Sequence, residues 1–93
     1  MIRSFADHRT EDLFVSGASH RVPPDVAARA RRKLDMLHRA KGLRDLRLPT
    51  SNRLHALSRD RKGQFAIAVN DQWRICFRFV DGDAFDVEFC DYH

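Results

Sequence analysis

The sequence predicts an α+β fold, with helices in its N-terminal half and antiparallel strands in its C-terminal half. Apolar residues recur at every second position between residues 64 and 90, which is the period of strands with one buried face. Between residues 26 and 37 they recur at every third or fourth position, the period of an amphipathic helix. Short joints rich in turn-forming residues connect the strands and favour antiparallel pairing.

Length and composition indicate one domain spanning residues 1–93. The chain has 93 residues, of which 43% are hydrophobic, and this is enough for a modest core. No stretch is long and apolar enough to cross a membrane, and residues 1–5 lack the apolar core of a signal peptide, so we expect a cytoplasmic protein without membrane contact. The net charge of +4 favours an anionic partner, with nucleic acid ahead of an acidic protein.

The N-terminal segment is predicted to contain a short edge strand and a short helix. Residues 2–5 form the candidate strand. Asp7 or Thr10 is suited to cap a helix that runs through Phe14, and Gly17 is suited to its exit.

A longer helix follows the two prolines at positions 23 and 24. The helical apolar pattern starts just after Asp25 and continues to about Ala40. The other sides of this helix carry the basic residues Arg29, Arg32, Lys33, Arg39 and Lys41. A charged face of this kind is usually solvated, and the alternative is a second surface for RNA or for a protein inhibitor.

The segment between the long helix and the sheet is predicted to add one more strand. Gly42 is expected to end the helix, residues 53–57 to form a strand, and residues 58–63 to form a charged loop. Together with the N-terminal edge strand, these elements give a mainly antiparallel sheet of four to five strands.

The register of the three C-terminal strands follows from keeping their apolar residues on one face. Residues 70–72 and residues 80–82 are then predicted to be loops of three residues, the second closed by Gly82 in the left-handed conformation and forming a bulge. This register pairs Cys76 with Asp86 and places Cys90 about 13 Å further along. We therefore expect two free thiols rather than a disulfide.

The second face of the predicted sheet is a shallow floor of small residues from which arginine side chains project. Its members are Ala66, Ala68, Arg74, Arg78 and Tyr92. Such a floor is suited to a phosphate backbone. The alternative is that Arg74 pairs across the strands with Glu88, and composition alone favours this ion pair.

The chemistry that best fits these residues is RNA cleavage without a metal ion or cofactor. The carboxylates are scattered, and neither a zinc-site spacing nor a Ser or Cys nucleophile motif is present in the sequence. RNA carries its own nucleophile, the 2′-hydroxyl, so the protein need only transfer protons and stabilise the phosphate charge. Histidine suits the first task and arginine the second, which makes His55, His93 and Arg74 candidates.

Four sequence blocks closely resemble the HigB-type toxins of the RelE superfamily. The blocks are residues 52–57 (NRLHAL), 60–63 (DRKG), 70–77 (NDQWRICF) and 91–93 (DYH). With the residues at 1–5, the likeness covers essentially the whole chain.

The resemblance implies a RelE-like fold, with two N-terminal helices packed on the sheet, and an endoribonuclease that cleaves messenger RNA in the ribosomal A site. It also implies a HigA-like helix-turn-helix antitoxin, with operator DNA bound only through the toxin–antitoxin complex. Arg74 would stabilise the phosphate, His55 and His93 would share the acid and base roles, and Tyr92 would orient the substrate or stack on a base. The residues expected to contact the substrate are Arg59, Arg61, Lys62, Arg78 and Asp91.

Two features depart from this pattern. Many relatives carry a lysine where this chain has Ser58, which leaves Arg59 to reach the same phosphate from the next position. A regular final strand would also place His93 on the face opposite Arg74 and Tyr92, unless a late bulge re-aims it. The missing lysine supports the alternative of a weakly active or non-catalytic module that binds ribosomes or antitoxin and acts in operon co-repression.

Overall fold

The computed structural model describes residues 1–92 and contains two helices followed by a four-stranded sheet. The helices are α1 (His8–Ser16) and α2 (Pro24–Arg39), and the strands are β1 (His55–Ala56), β2 (Phe65–Ala68), β3 (Trp73–Val80) and β4 (Asp83–Asp91). The strands lie in the order β1-β2-β3-β4, and every neighbouring pair is antiparallel. The predicted α+β architecture is therefore confirmed. Within residues 1–92, the helices are too short or too polar to cross a membrane.

The N-terminal segment lies along the free edge of β4, as predicted for an edge strand. It pairs in parallel through two isolated bridges, Ile2 with Ala84 and Phe5 with Val87. The Arg3 amide donates to the Ala84 carbonyl at 2.8 Å. This segment closes one edge of the sheet, although it does not form a continuous strand.

Helix α1 is capped at both ends in the way that the sequence predicts. The Asp7 carboxylate accepts a hydrogen bond from the Thr10 amide at 2.8 Å, and Gly17 ends the helix with a φ of 77°. The fully buried Thr10 hydroxyl donates to Asp7 at 2.6 Å and accepts from the Phe89 amide at 2.9 Å. Thr10 therefore fastens the start of α1 to the last part of β4.

Helix α2 ends at Arg39, three residues before the predicted stop at Gly42. Ala40 is already extended, and the amides of Lys41 and Gly42 both donate to the Asp45 carboxylate, at 2.9 and 3.1 Å. Asp45 lies in the 3-10 turn Leu43–Leu46, which follows directly, and its carboxylate binds the two amides that precede this turn. The helix therefore stops before Gly42.

The hydrophobic core lies between the two helices and one face of the sheet. The helices contribute Leu13, Ala27, Ala30, Leu34 and Leu37 to it. The sheet contributes Ile67, Val69, Ile75, Phe77, Ala84, Val87 and Phe89. The other face of the sheet, called the outer face below, is left to polar and small side chains.

Strand β1 is shorter than the five-residue strand predicted over residues 53–57. Only His55 and Ala56 pair with β2, and both are exposed. Arg53 has a φ of 49°, and the 3-10 turn Arg59–Arg61 begins three residues after the strand ends. These two departures from extended backbone limit the strand to two residues.

The β2–β3 pair has the predicted register. Residues 70–72 form the three-residue loop, and the Val69 amide donates to the Trp73 carbonyl at 2.9 Å across its base. Ile67 lies opposite Ile75, so the apolar side chains of both strands share the core face.

The predicted register of the β3–β4 pair is wrong, because the turn is one residue shorter and a bulge lies elsewhere. Val80 pairs with Asp83 across a two-residue turn in which Asp81 and Gly82 have φ values of 50° and 84°. The pairing then shifts by one residue between Cys76 and Arg78, where Asp86 adopts a φ of 53°. We call this irregularity the Asp86 bulge.

The Asp86 bulge changes which face each residue of β4 occupies. Before the bulge, Ala84 is fully buried in the core, and Phe85 lies opposite the exposed Arg78, which reverses the predicted faces of these two residues. After the bulge, Phe89 lies opposite Ile75 on the core face, as expected. The apolar pattern requires a turn with an odd number of residues, but the observed turn has two. The extra residue in the bulge shifts the alternation by one position, so that the apolar residues after it face the core.

The bulge predicts a residue-specific effect at Asp86. Asp86→Val is expected to unfold more easily than Asp86→Asn by about 1–2 kcal/mol, because a β-branched residue tolerates a left-handed backbone poorly whereas asparagine tolerates it well. Both variants remove the same carboxylate, so urea unfolding of the pair isolates the backbone effect. Equal unfolding midpoints with equal slopes would show that the left-handed conformation carries no such cost.

Candidate functional site

The outer face of the sheet contains two adjacent rows of side chains that cross the strands. Residues paired across antiparallel strands share a face, so the observed registers define each row. The first row consists of His55, Ala66, Cys76 and Glu88. The second row consists of Ala68, Arg74 and Cys90. The predicted floor of small residues is therefore present, and Arg74 stands on it.

Arg74 and Tyr92 form the centre of the candidate site. The Arg74 guanidinium carbon lies 5.3 Å from the centre of the Tyr92 ring, which is a cation–π distance. The Tyr92 amide donates to the Gln72 carbonyl at 3.0 Å, and this bond holds the residue beside the sheet after β4 has ended. Burial raises the pKa of the Tyr92 hydroxyl above its ordinary value. The two residues predicted to handle phosphate and substrate are therefore in contact.

Both residues also carry buried polar atoms that are not satisfied within residues 1–92. Arg74 Nε and the Tyr92 hydroxyl are each buried without a hydrogen-bond partner there. A buried donor without a partner is costly, and in native proteins such atoms call for a ligand, an ion or ordered water. Two of these atoms, on residues in mutual contact, identify this spot as one suited to a polar ligand.

Glu88 forms its ion pair with Arg61, so the predicted pairing of Arg74 with Glu88 is wrong. Arg61 donates to the Glu88 carboxylate at 3.1 Å and to the Gln64 side chain at 3.1 Å. The hydrogen bond to Glu88 raises the pKa of Arg61. The physical reason is the shifted register, which places Cys90 rather than Glu88 opposite Arg74. Arg74 is thereby left without a carboxylate partner among the described residues.

The charged loop at residues 58–63 lies beside Arg74, as the sequence predicts. A groove runs between them, and it is lined by Leu57, Ser58, Arg59, Asp60, Arg61 and Arg74. Arg59 is exposed and has a φ of 58°, and Ser58 immediately precedes the 3-10 turn. The groove therefore presents three arginines to a ligand, with Ser58 beside them.

His55 lies away from Arg74 and Tyr92. It lies in the row of Cys76 but two strands distant, about 10 Å at the usual strand spacing. His55 is exposed, and its Nδ1 lies 2.8 Å from the Arg53 carbonyl oxygen. Because a carbonyl only accepts, this contact requires the proton on Nδ1 and leaves Nε2 as the basic nitrogen.

The remaining predicted site residues are more widely dispersed. Arg78 is exposed and pairs with Asp86 at 3.5 Å, and Lys62 is exposed at the end of the charged loop. Asp91 lies opposite Trp73 on the core-facing side of β4, with its Oδ1 buried and unpaired within the part of the chain described. His93 lies outside the described residues.

The predicted separation of the two cysteines is wrong. The Cys76 and Cys90 sulfur atoms lie 3.0 Å apart, whereas the predicted register separates the residues by about 13 Å. Both are free thiols, as expected. The signal that points to this contact is their shared face on the two strands of one hairpin. The Asp86 bulge, which the apolar pattern alone does not reveal, brings them together.

The thiols differ in their acidity because of their surroundings. A hydrogen bond from Cys76 lowers the pKa of Cys90 to about 7, with further help from a hydrogen bond with Arg74 and the charge of Arg61. The same hydrogen bond, together with burial and the charge on Cys90, raises the pKa of Cys76. Cys90 is therefore the more acidic thiol of the pair, and it lies opposite Arg74.

Comparison with known proteins assigns the chain to a family. The family model described as "RelE-like toxin of type II toxin-antitoxin system HigB" matches residues 3–93. The chain belongs to the HigB family. It is 34% identical to Endoribonuclease HigB of Proteus vulgaris over 93 residues, which is the full length of both proteins. It is 36% identical to Toxin HigB-1 of Vibrio cholerae over 85 residues, or 90% of each protein.

A solved structure confirms the RelE-like fold of this HigB chain. A crystal structure of a YafQ variant from E. coli superposes with a TM-score of 0.66 and covers 99% of this chain and 92% of that one. The sequences are 14% identical, so this likeness concerns the fold alone. The family matches confirm the predicted class, a HigB endoribonuclease toxin of a type II toxin–antitoxin system.

The acidity of Cys90 predicts the pH profile of its alkylation. Only the thiolate reacts, so the rate with iodoacetamide should rise about tenfold per pH unit below 7 and level off above it. In Cys76→Ala the midpoint should move up towards the ordinary thiol value, because the hydrogen bond that stabilises the thiolate is gone. Mass spectrometry of the alkylated peptide provides the rate. An identical midpoint in both proteins would contradict the assigned cause.

Proposed function

We propose that this HigB chain is a ribosome-dependent endoribonuclease that cleaves messenger RNA in the A site by 2′-hydroxyl attack on the scissile phosphate, without a metal ion. The observation that supports it most is the state of Arg74. Its guanidinium is stacked on Tyr92, has a buried Nε without a partner within residues 1–92, and faces a groove with two more arginines. This arrangement suits a phosphate that gains charge during the reaction.

Arg74 is the proposed phosphate-stabilising residue, with Arg59 and Arg61 as supporting cations. Arginine matches the geometry of phosphate oxygens and keeps its charge throughout the working pH range. Arg61 is held in position by Glu88 and Gln64, whereas the side chain of Arg59 is exposed and accessible to an RNA backbone. Lys62 and Arg78, which are exposed on the same side of the sheet region, are proposed to contact more distant phosphates.

His55 and His93 are proposed to divide the proton transfers, and Tyr92 to orient the substrate by stacking on a base. The Nε2 of His55 is the nitrogen free to take or give a proton. His55 lies two strands away from β3, which carries Arg74, or about 10 Å at ordinary strand spacing, and this leaves room for a nucleotide between them. The sequence predicts that Asp91 contacts the substrate, but its Oδ1 is buried on the core-facing side of β4, so Asp91 is proposed instead to support the terminal segment that carries Tyr92 and His93.

The proposed partners follow from the family and the substrate. A HigA-like helix-turn-helix antitoxin is the expected inhibitor, and the chain is proposed to reach operator DNA only as part of that complex. Ribosome-bound messenger RNA as the substrate places the activity in the cytoplasm.

A second candidate function is a module that binds ribosomes or antitoxin but cleaves poorly. The observation that favours it is Ser58, which lines the groove beside Arg74 where relatives supply a lysine. Loss of one cation from a phosphate site lowers the stabilisation of the transition state without preventing binding. The two functions differ in whether new RNA ends are produced.

Cleavage on programmed ribosomes tests the role of Arg74. Arg74→Ala is expected to lower the cleavage rate by at least about 100-fold, the usual cost of removing one stabilising donor, and Arg74→Lys should restore only part of it. Arg3→Ala is the matched control, because Arg3 pairs with Asp83 at the other end of β4 and should leave cleavage unchanged. Primer extension measures the new ends.

The outcome is decided by ribosome binding as well as by cleavage. If Arg74→Ala cuts as fast as wild type while remaining folded, the phosphate role of Arg74 is wrong. If the wild-type protein sediments with ribosomes but leaves the message intact, the binding module is the better account.

A further inference from the structure

The Cys76–Cys90 pair is a second reactive centre on the outer face, distinct from the groups that the proposed nuclease uses. Cys76 lies opposite Glu88 on the neighbouring strand, and Cys90 lies opposite Arg74, so the two thiols are diagonal neighbours across the β3–β4 hairpin. Their sulfur atoms are 3.0 Å apart. A disulfide bond is about 2.03–2.05 Å long, so the sulfurs need to approach by only about 1 Å.

We propose that Cys76 and Cys90 form an oxidative modification site, which a peroxide converts to an intramolecular disulfide. The proposal stands on the contact between the sulfurs and on their different access to solvent. Cys76 is fully buried, whereas Cys90 is partly exposed. A small oxidant therefore reaches the sulfur of Cys90 first, and the buried sulfur of Cys76 lies in contact with it.

The surroundings of Cys90 favour this division of roles. Arg61 and Arg74 lie beside the pair and stabilise a thiolate, while the one nearby carboxylate, Glu88, is held by Arg61. The pKa of Cys90, about 7, leaves a substantial thiolate fraction at neutral pH, and the pKa of Cys76 is raised. Cys90 is thus the attacking residue and Cys76 the resolving one.

The reaction balances with hydrogen peroxide as the oxidant. The Cys90 thiolate attacks one peroxide oxygen, the O–O bond breaks, and Cys90 becomes a sulfenic acid as hydroxide leaves. Cys76 then gives its thiol proton to the departing sulfenic oxygen, and its sulfur bonds to the Cys90 sulfur as water leaves. The two thiols lose two electrons in total, and the peroxide gains them. A small dithiol reverses the step by thiol–disulfide exchange.

The proposed site shares its cations with the proposed phosphate site. In the reduced protein, the thiolate of Cys90 lies against Arg74, and in the disulfide that negative charge is gone. Oxidation therefore raises the net positive charge around Arg74. This link to RNA binding rests on the proposed function, whereas the formation of the disulfide does not.

The test is intact-mass and peptide analysis of the full chain after treatment with a small molar excess of hydrogen peroxide. The wild-type protein should lose two hydrogens and yield a peptide that links Cys76 with Cys90, and a dithiol reductant should restore both thiols. Cys76→Ser should instead accumulate a sulfenic acid at Cys90 that dimedone traps. Cys90→Ser should remain unmodified, because Cys76 is buried.

Other outcomes overturn the proposal. Wild-type protein that keeps two free thiols, or that accumulates sulfenic or sulfinic acid at Cys90 without the link, has no dithiol site. Disulfide-linked dimers in place of the internal link also contradict it. These readouts do not involve RNA, so a failure here is distinguishable from a failure of the proposed nuclease, and the wild-type result stands even if a variant folds poorly.

Discussion

The Asp86 bulge is the constraint on which the arrangement of the sheet depends. A two-residue turn joins β3 to β4, and with regular pairing it would turn Val87 and Phe89 away from the helices. The extra residue at Asp86 restores them to the core, where the Phe89 amide also donates a hydrogen bond to the Thr10 hydroxyl at the start of α1. Core packing and the attachment of α1 therefore both depend on one irregular residue in β4.

The same bulge decides the chemistry of the outer face. It brings Cys90 opposite Arg74 and Glu88 opposite Cys76, so that Glu88 engages Arg61 and Arg74 has no carboxylate partner within residues 1–92. Arg74 can therefore offer its whole charge to a phosphate, whereas the carboxylate of Glu88 offsets part of the charge of Arg61. The register thus places the Arg74 guanidinium over the Tyr92 ring and next to the Cys76–Cys90 pair.

Sequence patterns predict most of the fold but not the contacts within the site. The periodicity of residues 26–37 and 64–79 is strong because these elements bury a continuous apolar face, and Asp7 and Gly17 mark their helix by local chemistry. The predicted register of β3 and β4 is wrong because Phe85 fits the apolar pattern although it lies on the outer face. The left-handed conformation of Asp86, which causes the shift, is not visible in the pattern of apolar residues. Arg74 and Tyr92 still lie on one face, as predicted, because Arg74 follows the alternation of β3 and Tyr92 continues the alternation of β4 one residue beyond its end.

The central claim is that RNA supplies the nucleophile and that the protein supplies only charge and proton transfer around Arg74. The most direct measurement is cleavage, on programmed ribosomes, of a message carrying a single 2′-deoxy nucleotide on the 5′ side of the mapped cut. If the 2′-hydroxyl is the nucleophile, this cut disappears while cuts at unmodified codons remain, and the normal products end in a cyclic phosphate and a 5′-hydroxyl. Cleavage at the deoxy position would show that water is the nucleophile and would contradict the account.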